Sequence, residues 1–132
     1  MDKVAVIELS DKELARHATA QLRESFGEIE REKVEEILEI PLKLEKLLDR
    51  NSGCLLLIDS TDQRFVNEVI SKVLDLEIEK KKKVQKLIVE KQKESEQAFE
   101  DRIQEAAREN AEKLAEKIKE NPANRYGEAE EI

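Results

Sequence analysis

The first part of the chain contains a short apolar-rich run and a continuous apolar run of five residues, separated by stretches with helical spacing. The runs at residues 4–9 and 54–58 are compatible with strands, although periodicity alone cannot separate a short buried strand from a helical turn. The spacing after the first run predicts a helix over residues 11–26. This helix opens with a capping-box pattern, in which Ser10 would cap the helix and Glu13 would reach back to its amide.

A second helical stripe follows, and it is formed by Ile37, Ile40, Leu44 and Leu47. Pro41 lies inside this stripe, where it removes an amide donor and clashes with the preceding turn, so we expect a kink or a break there. The first sixty residues therefore predict a small module of short helices, either all α or α+β.

The next sixty residues favour one long helix. No glycine or proline occurs over residues 62–121, helix formers dominate, and Pro122 closes the segment. Such a helix would be about 90 Å long at 1.5 Å per residue. The fold prediction is therefore a predominantly α protein, in which a long C-terminal helix packs as a coiled-coil-like element.

The apolar residues of this segment recur more often at intervals of eleven than of seven, which indicates straight helical packing rather than a regular leucine zipper. Two apolar ends flank a polar middle at residues 79–97. The predicted interaction surface consists of Val66, Val69, Val73, Leu76, Phe99, Ile103, Ala107, Leu114 and Ile118.

The resulting domain prediction has three parts: the module at residues 1–60, the association helix at 61–121 and a disordered acidic tail at 122–132. Composition supports the helical interpretation, since 42% of the residues are charged and only 3% are aromatic. Charge-rich chains with few aromatics suit long helices packed side by side better than a compact globule.

Net charge and cysteine content restrict the classes of function. The formal charge of −8 argues against nucleic acid and membrane surfaces as partners, because both are anionic. No run approaches the ~18 apolar residues of a membrane-spanning helix. The N-terminus does not resemble a signal peptide, and Cys54, the single cysteine, cannot form an internal disulfide. We therefore expect a cytoplasmic protein.

Two charged clusters are candidates for chemistry. The glutamates Glu32, Glu35, Glu36 and Glu39 have helical spacing and could bind Mg²⁺, as in helical nucleotide pyrophosphatases. The lysines at positions 80–83, with Lys86, Lys91 and Lys93, could contact phosphates, but interleaved glutamates favour a solvated helix face. One histidine and one cysteine do not make a zinc site, and we predict no metal and no cofactor.

The leading functional hypothesis is a non-catalytic interaction or assembly protein that acts through self-association and partner docking along the long helix. A homodimer or higher oligomer is expected, since two-fold pairing is the commonest symmetry, and a further protein partner is compatible with it. One alternative is a regulatory or sensor module, which an apolar pocket among residues 4–58 would favour. The other is a small helical Mg²⁺-dependent nucleotide hydrolase that uses the four glutamates.

Overall fold

A computed structural model describes residues 3–10, 13–60, 64–119 and 129–131 of the chain. Within these ranges five strands and four helices follow one another, and a short 3-10 helix at Ile37–Glu39 leads into the second helix. In chain order the elements are β1 (Val4–Leu9), α1 (Leu14–Phe26), β2 (Ile29–Lys33), α2 (Ile40–Arg50), β3 (Gly53–Asp59), α3 (Val66–Lys80), β4 (Lys83–Val89), α4 (Glu96–Lys119) and β5 (Ala129–Glu131).

The strands form one parallel sheet in the order β2-β1-β3-β4-β5. Val4 of β1 lies opposite both Ile29 and Gly53, so β1 is paired on both sides. β3 and β4 pair along their whole lengths, and β5 extends the sheet beyond β4. This strand order is one of the common orders of doubly wound α/β sheets, which carry helices on both faces.

The two runs that the sequence marked as compatible with strands are β1 and β3. Both are buried along nearly their whole lengths, which explains why their residues are continuously apolar instead of alternating. The first helix ends as expected at Gly27, which has φ 74° and donates its amide to Arg23 O.

The prediction of a predominantly α protein with one helix over residues 62–121 is wrong, because α3, β4 and α4 occupy that segment. The protein is an α/β fold and not a coiled coil. α3 ends at Lys80, and Lys81 adopts the left-handed conformation with φ 54° and donates its amide to Glu77 O. Glycine or asparagine usually supplies this conformation, so a search for helix-breaking residues misses this helix end.

The supposed polar middle of the long helix contains β4, which is buried at every position. Its polar residues are tolerated because they have partners inside the protein. Lys86 Nζ lies 2.8 Å from Glu77 Oε2 of α3, and the Val84 amide donates to Glu77 Oε1 at 2.9 Å. Both side chains of this ion pair are almost completely inaccessible to water.

The stretch before α2 also differs from the prediction of continuous helical spacing. Residues 29–33 form the edge strand β2, and α2 begins only at Ile40. Pro41 lies in the first turn of α2, so it begins a helix instead of kinking one. A proline is well tolerated there because the first amides of a helix have no partner within it.

Each face of the sheet is covered by two helices. On one face, α1 and α4 pack over side chains from β1, β3 and β4, with small residues such as Ala18, Ala107 and Ala111 at the helix contact. On the other face, α2 and α3 cover the alternate side chains of the same strands. We refer to these as the α1–α4 face and the α2–α3 face.

The predicted domain boundary at residues 60–61 falls between β3 and α3, and strands from both sides of it share the sheet. Of the predicted acidic tail, residues 122–128 and 132 lie outside the described residues, whereas Ala129–Glu131 form β5. None of the helices in the described ranges is long and apolar enough to cross a membrane.

Candidate functional site

Doubly wound sheets usually bind ligands beyond the carboxyl ends of the strands, where neighbouring connections leave in opposite directions. In this sheet that place lies between β1 and β3. At the end of β3, the amide and the hydroxyl of Ser60 both donate to Val89 O, at 2.8 and 3.1 Å. Ser60 thereby joins the ends of β3 and β4. Residues 11–12, which follow β1 in the sequence, and residues 61–63, which follow β3, lie outside the described residues.

The N-terminus of α1, the usual anion-binding position beside β1, already has an anion from the chain itself. The buried Glu8 carboxylate of β1 accepts the amide of Ala15 at 2.9 Å. Glu13 precedes the helix in a left-handed conformation, and its side chain makes no capping hydrogen bond. The predicted capping box is therefore replaced by Glu8, which fills the place that a phosphate would take.

Beside Glu8 lies a cleft of about 500 Å³ between the N-terminus of α1 and β2. Charged side chains of both signs dominate its lining, which consists of Glu8, Glu13, Ala15, Arg16, Arg31, Glu32 and Lys33. Such a mixture neutralises itself and favours neither a phosphate nor a cation. It is also not an apolar pocket of the kind that would favour the sensor alternative.

The four glutamates of the hydrolase alternative do not share a helix. Glu32 lies on β2 and contacts Lys43 at 3.6 Å, Glu35 and Glu36 lie in the following loop, and Glu39 ends the 3-10 helix. Over residues 3–10, 13–60, 64–119 and 129–131, no three acidic, histidine or cysteine side chains converge as metal ligands would. The helical spacing on which the Mg²⁺ hypothesis depended is therefore not present.

The lysines that looked like one basic patch are distributed over different environments. Lys80 pairs with Asp49 at 2.8 Å, which raises the pKa of Lys80 chiefly through this hydrogen bond. Lys82 donates to Asn51 O, Lys86 is buried against Glu77, and Lys91 contacts Glu96. These contacts bind the lysines to the protein's own acceptors instead of presenting a continuous surface to phosphates.

The residues predicted as an interaction surface lie on two helices that cover opposite faces of the sheet. Four from α4 and two from α3 are buried in the cores of this chain: Phe99, Ile103, Ala107, Leu114, Val69 and Val73. The other three are partly buried at the margins of the same cores: Val66, Leu76 and Ile118. They do not form one seam, because α3 and α4 lie on opposite faces of the sheet.

Large apolar side chains are exposed instead along α2 and the start of α3. Leu38, Leu42 and Phe65 are 60%, 62% and 53% exposed, respectively. Leu42 lines a cleft of about 300 Å³ between α2 and α3, together with Pro41 and Leu76. Leu38 and Phe65 line a second cleft of about 160 Å³. We call Leu38, Pro41, Leu42, Phe65 and Leu76 the α2–α3 groove.

The rim of the α2–α3 groove is more acidic than basic. Glu45 and Asp75 line the larger cleft with Lys72, and Glu35 and Glu36 line the smaller cleft with Arg64. Leu38 lies in the 3-10 helix that leads into α2, and Leu42 lies in the first turn of α2, so the two clefts are lined by consecutive elements of the chain. The arrangement can hold an apolar strip that is flanked by positive charge.

The sequence contains a second apolar pair that indicates this groove, and a prediction based on one dominant apolar stripe misses it. Leu38 and Leu42 form a second pair at helical spacing, outside the stripe of Ile37, Ile40, Leu44 and Leu47. The first stripe is buried and the second is exposed. A helix with apolar residues on two sides is typical of an element that contacts both a core and a partner.

Cys54 is completely buried in β3, and burial raises the pKa of its thiol to about 12. The thiolate is the nucleophilic form of cysteine, so a thiol with this pKa is unreactive at neutral pH. Cys54 therefore acts as a small apolar residue of the sheet.

In comparisons with known proteins, no family model matches this chain and no curated protein is significantly similar to it.

Proposed function

We propose that this chain is a non-catalytic protein-interaction domain, whose α2–α3 groove binds an amphipathic helix of a partner protein. The observation that carries the proposal is the exposure of Leu38, Leu42 and Phe65 along two adjacent clefts. Exposed leucines occur singly on most proteins, but apolar side chains gathered at a groove mark interaction sites.

The position of the groove between α2 and α3 favours a helix as its occupant. Helix-in-groove binding uses apolar anchors at intervals of three, four and seven residues, which follow a groove between two packed helices. Fully burying one leucine stabilises a complex by about 1.5–3 kcal/mol. Three anchors of this kind contribute about 4.5–9 kcal/mol, which is similar to the free-energy cost of association of about 4–15 kcal/mol, so contacts with the charged rim must supply part of the net affinity.

Charge complementarity limits the partner further. The acidic rim, formed by Glu35, Glu36, Glu45 and Asp75, favours a helix with lysine or arginine on either side of its apolar strip. The net charge of −8 would also speed the encounter with a basic partner at low salt.

The proposal is tested with a fluorescently labelled helical peptide that carries leucines on one face and lysines on its flanks. Fluorescence anisotropy should show saturable binding, and a scrambled peptide of the same composition should bind at least tenfold more weakly. Leu42→Glu should abolish the difference, because it places a carboxylate in the apolar groove. Ile78→Glu is the matched control, since Ile78 is 56% exposed on another side of α3.

Equal binding of the ordered and scrambled peptides would contradict the proposal, and so would unchanged binding by Leu42→Glu.

We also propose a cytoplasmic location for the chain. Its support is that Cys54 is a free thiol inside the core, which suits a reducing compartment.

A further inference from the structure

We propose that β5 of one copy of this chain pairs with β4 of a second copy, so that this edge of the sheet is an interface between copies. The inference is independent of the α2–α3 groove. It depends on the connection between β4 and β5, on the burial of β4 and on the exposed side of α3.

The connection from β4 to β5 has the opposite hand from the other three. From β1 to β2 the chain moves one way across the sheet over the α1–α4 face. From β2 to β3 and from β3 to β4 it moves the other way over the α2–α3 face, so these three connections share one hand. From β4 to β5 it continues in that second direction, but α4 passes over the α1–α4 face.

Parallel connections within one sheet are right-handed in about 98% of cases. If the first three connections follow this rule, the connection through α4 is left-handed when β5 pairs with its own β4. The rule applies to a single chain and places no restriction on a strand supplied by another copy. Pairing between copies therefore keeps the observed register and removes the unfavourable connection.

β4 also resembles an internal strand more than an edge strand. It is buried at all seven positions within the single chain, and in the described residues β5 pairs with Lys86, Leu87 and Ile88 of this strand. The backbone groups of a strand edge are a template for pairing with another chain, and natural proteins usually cover such an edge.

The side of α3 that faces away from α2 supplies apolar surface beside this edge. Leu76 lines the cleft with α2, whereas Glu77 turns toward β4 and pairs with Lys86. At 100° per residue, Ile70, Leu74 and Ile78 lie beyond Glu77, on the side of α3 toward β4 and β5. Ile70 and Leu74 are half-buried and Ile78 is 56% exposed. A second copy that brings its β5 to β4 would cover this stripe.

Cysteine pairing across the two strands distinguishes exchange from pairing within one chain. Ile88 and Glu131 lie opposite each other in the parallel register. Cα atoms of opposite residues in neighbouring strands are about 4.8 Å apart, within the range that a disulfide spans. In the exchanged arrangement, a chain carrying both Ile88→Cys and Glu131→Cys should form covalent oligomers under mild oxidation.

An equal mixture of the two single-cysteine variants should give a covalent dimer that contains one chain of each. Each variant alone should remain uncrosslinked, because Cys54 is buried. An internally bridged monomer as the product of the double variant would overturn the proposal. The absence of any disulfide between these positions would overturn it as well.

The mass in solution provides a second measurement, which does not depend on oxidation. Light scattering at about 100 µM should give at least a dimer, and Ile78→Glu should shift it at least tenfold toward the monomer. Leu42→Glu, an equally exposed change in the groove, should leave the mass unchanged. A monomeric mass for the unmodified chain, or an oligomer indifferent to Ile78→Glu, would exclude this interface.

Discussion

The two faces of the sheet are covered in different ways, although each carries two helices. On the α1–α4 face, Phe99, Ile103 and Leu114 of the long helix are buried against α1 and the strands. On the α2–α3 face, a comparable core leaves Leu38, Leu42, Phe65 and Ile78 exposed on its outer surface. The first face uses its large apolar side chains for the core, whereas the second face adds exposed apolar surface to its core, which is where the proposed function places the partner.

The largest expected effect is a difference in the free energy of unfolding between alanine variants of two phenylalanines. Phe99→Ala should lower the free energy of unfolding by about 3–5 kcal/mol, because it leaves a cavity in the core of the α1–α4 face. Phe65→Ala removes a side chain that is half exposed on the other face and should cost less than about 1 kcal/mol. Denaturant titration of both variants tests the difference. Similar losses for the two would show that the faces are not distinct in this way.

A second prediction concerns the buried ion pair on the α2–α3 face. Lys86→Met should destabilise the fold by about 3 kcal/mol, because it leaves the Glu77 carboxylate buried without its cation. The double variant Lys86→Met with Glu77→Leu should recover at least about 1 kcal/mol of this loss, although the Val84 amide then loses its acceptor. Thermal denaturation of the single and double variants measures the recovery. A double variant less stable than Lys86→Met would argue that the unpaired Glu77 carboxylate is not the cause of the destabilisation.

This ion pair also explains why β4 was not predicted from the sequence. Lys83, Gln85 and Lys86 interrupt the apolar residues of this strand, and helix formers surround it. The buried Lys86 and Gln85 have their partners, Glu77 and Asn110, in other elements of the fold. No local sequence pattern contains these long-range contacts. The end of α3 is also hidden in the sequence, because Lys81, and not a glycine, adopts the left-handed conformation there.

β1 and β3 were recognisable because burial on both faces makes their sequences continuously apolar. β2 was not recognisable, because Ile29 is its only buried residue and its other four residues are charged, as suits the edge of the sheet. The α2–α3 groove could have been predicted in part, because Leu38 and Leu42 have helical spacing in the sequence. Which of two apolar sides of a helix faces the core, however, is decided by tertiary packing and not by the periodicity itself.

A third prediction separates stability from recognition within α2. Leu42→Ala should weaken binding of the amphipathic peptide about tenfold, or about 1.4 kcal/mol, because it removes an anchor from the groove. It should change the free energy of unfolding by less than about 0.5 kcal/mol. Leu44→Ala, two residues away but buried, should cost about 2–5 kcal/mol of stability. Anisotropy and denaturant titration on both variants give the comparison, and loss of stability in Leu42→Ala would assign Leu42 to the core.

The smallest expected effect concerns the attachment of α2 to the edge of the sheet. The Glu30 carboxylate on β2 accepts from Arg50 Nε at 3.0 Å and from Asn51 Nδ2 at 3.1 Å, at the end of α2. The Arg50 hydrogen bond lowers the pKa of Glu30 below its usual 4.5. A carboxyl group with a lowered pKa stabilises the fold above its unfolded-state pKa, and this contribution is lost as the pH falls through the folded-state pKa.

Glu30→Gln should therefore destabilise the protein by about 0.5–1 kcal/mol at pH 7, since the pair is partly exposed. The difference from the unmodified chain should shrink as the pH falls from the unfolded-state pKa of Glu30 through its lowered folded-state pKa, because the unmodified chain then loses this charge as well. Glu32→Gln, on the same strand as Glu30, is the control, since the contact of Glu32 with Lys43 of α2 is long, at 3.6 Å, and exposed. Urea titrations at several pH values measure both variants. A Glu30→Gln difference that does not depend on pH would mean that the shape of this contact, and not its charge, holds α2 to β2.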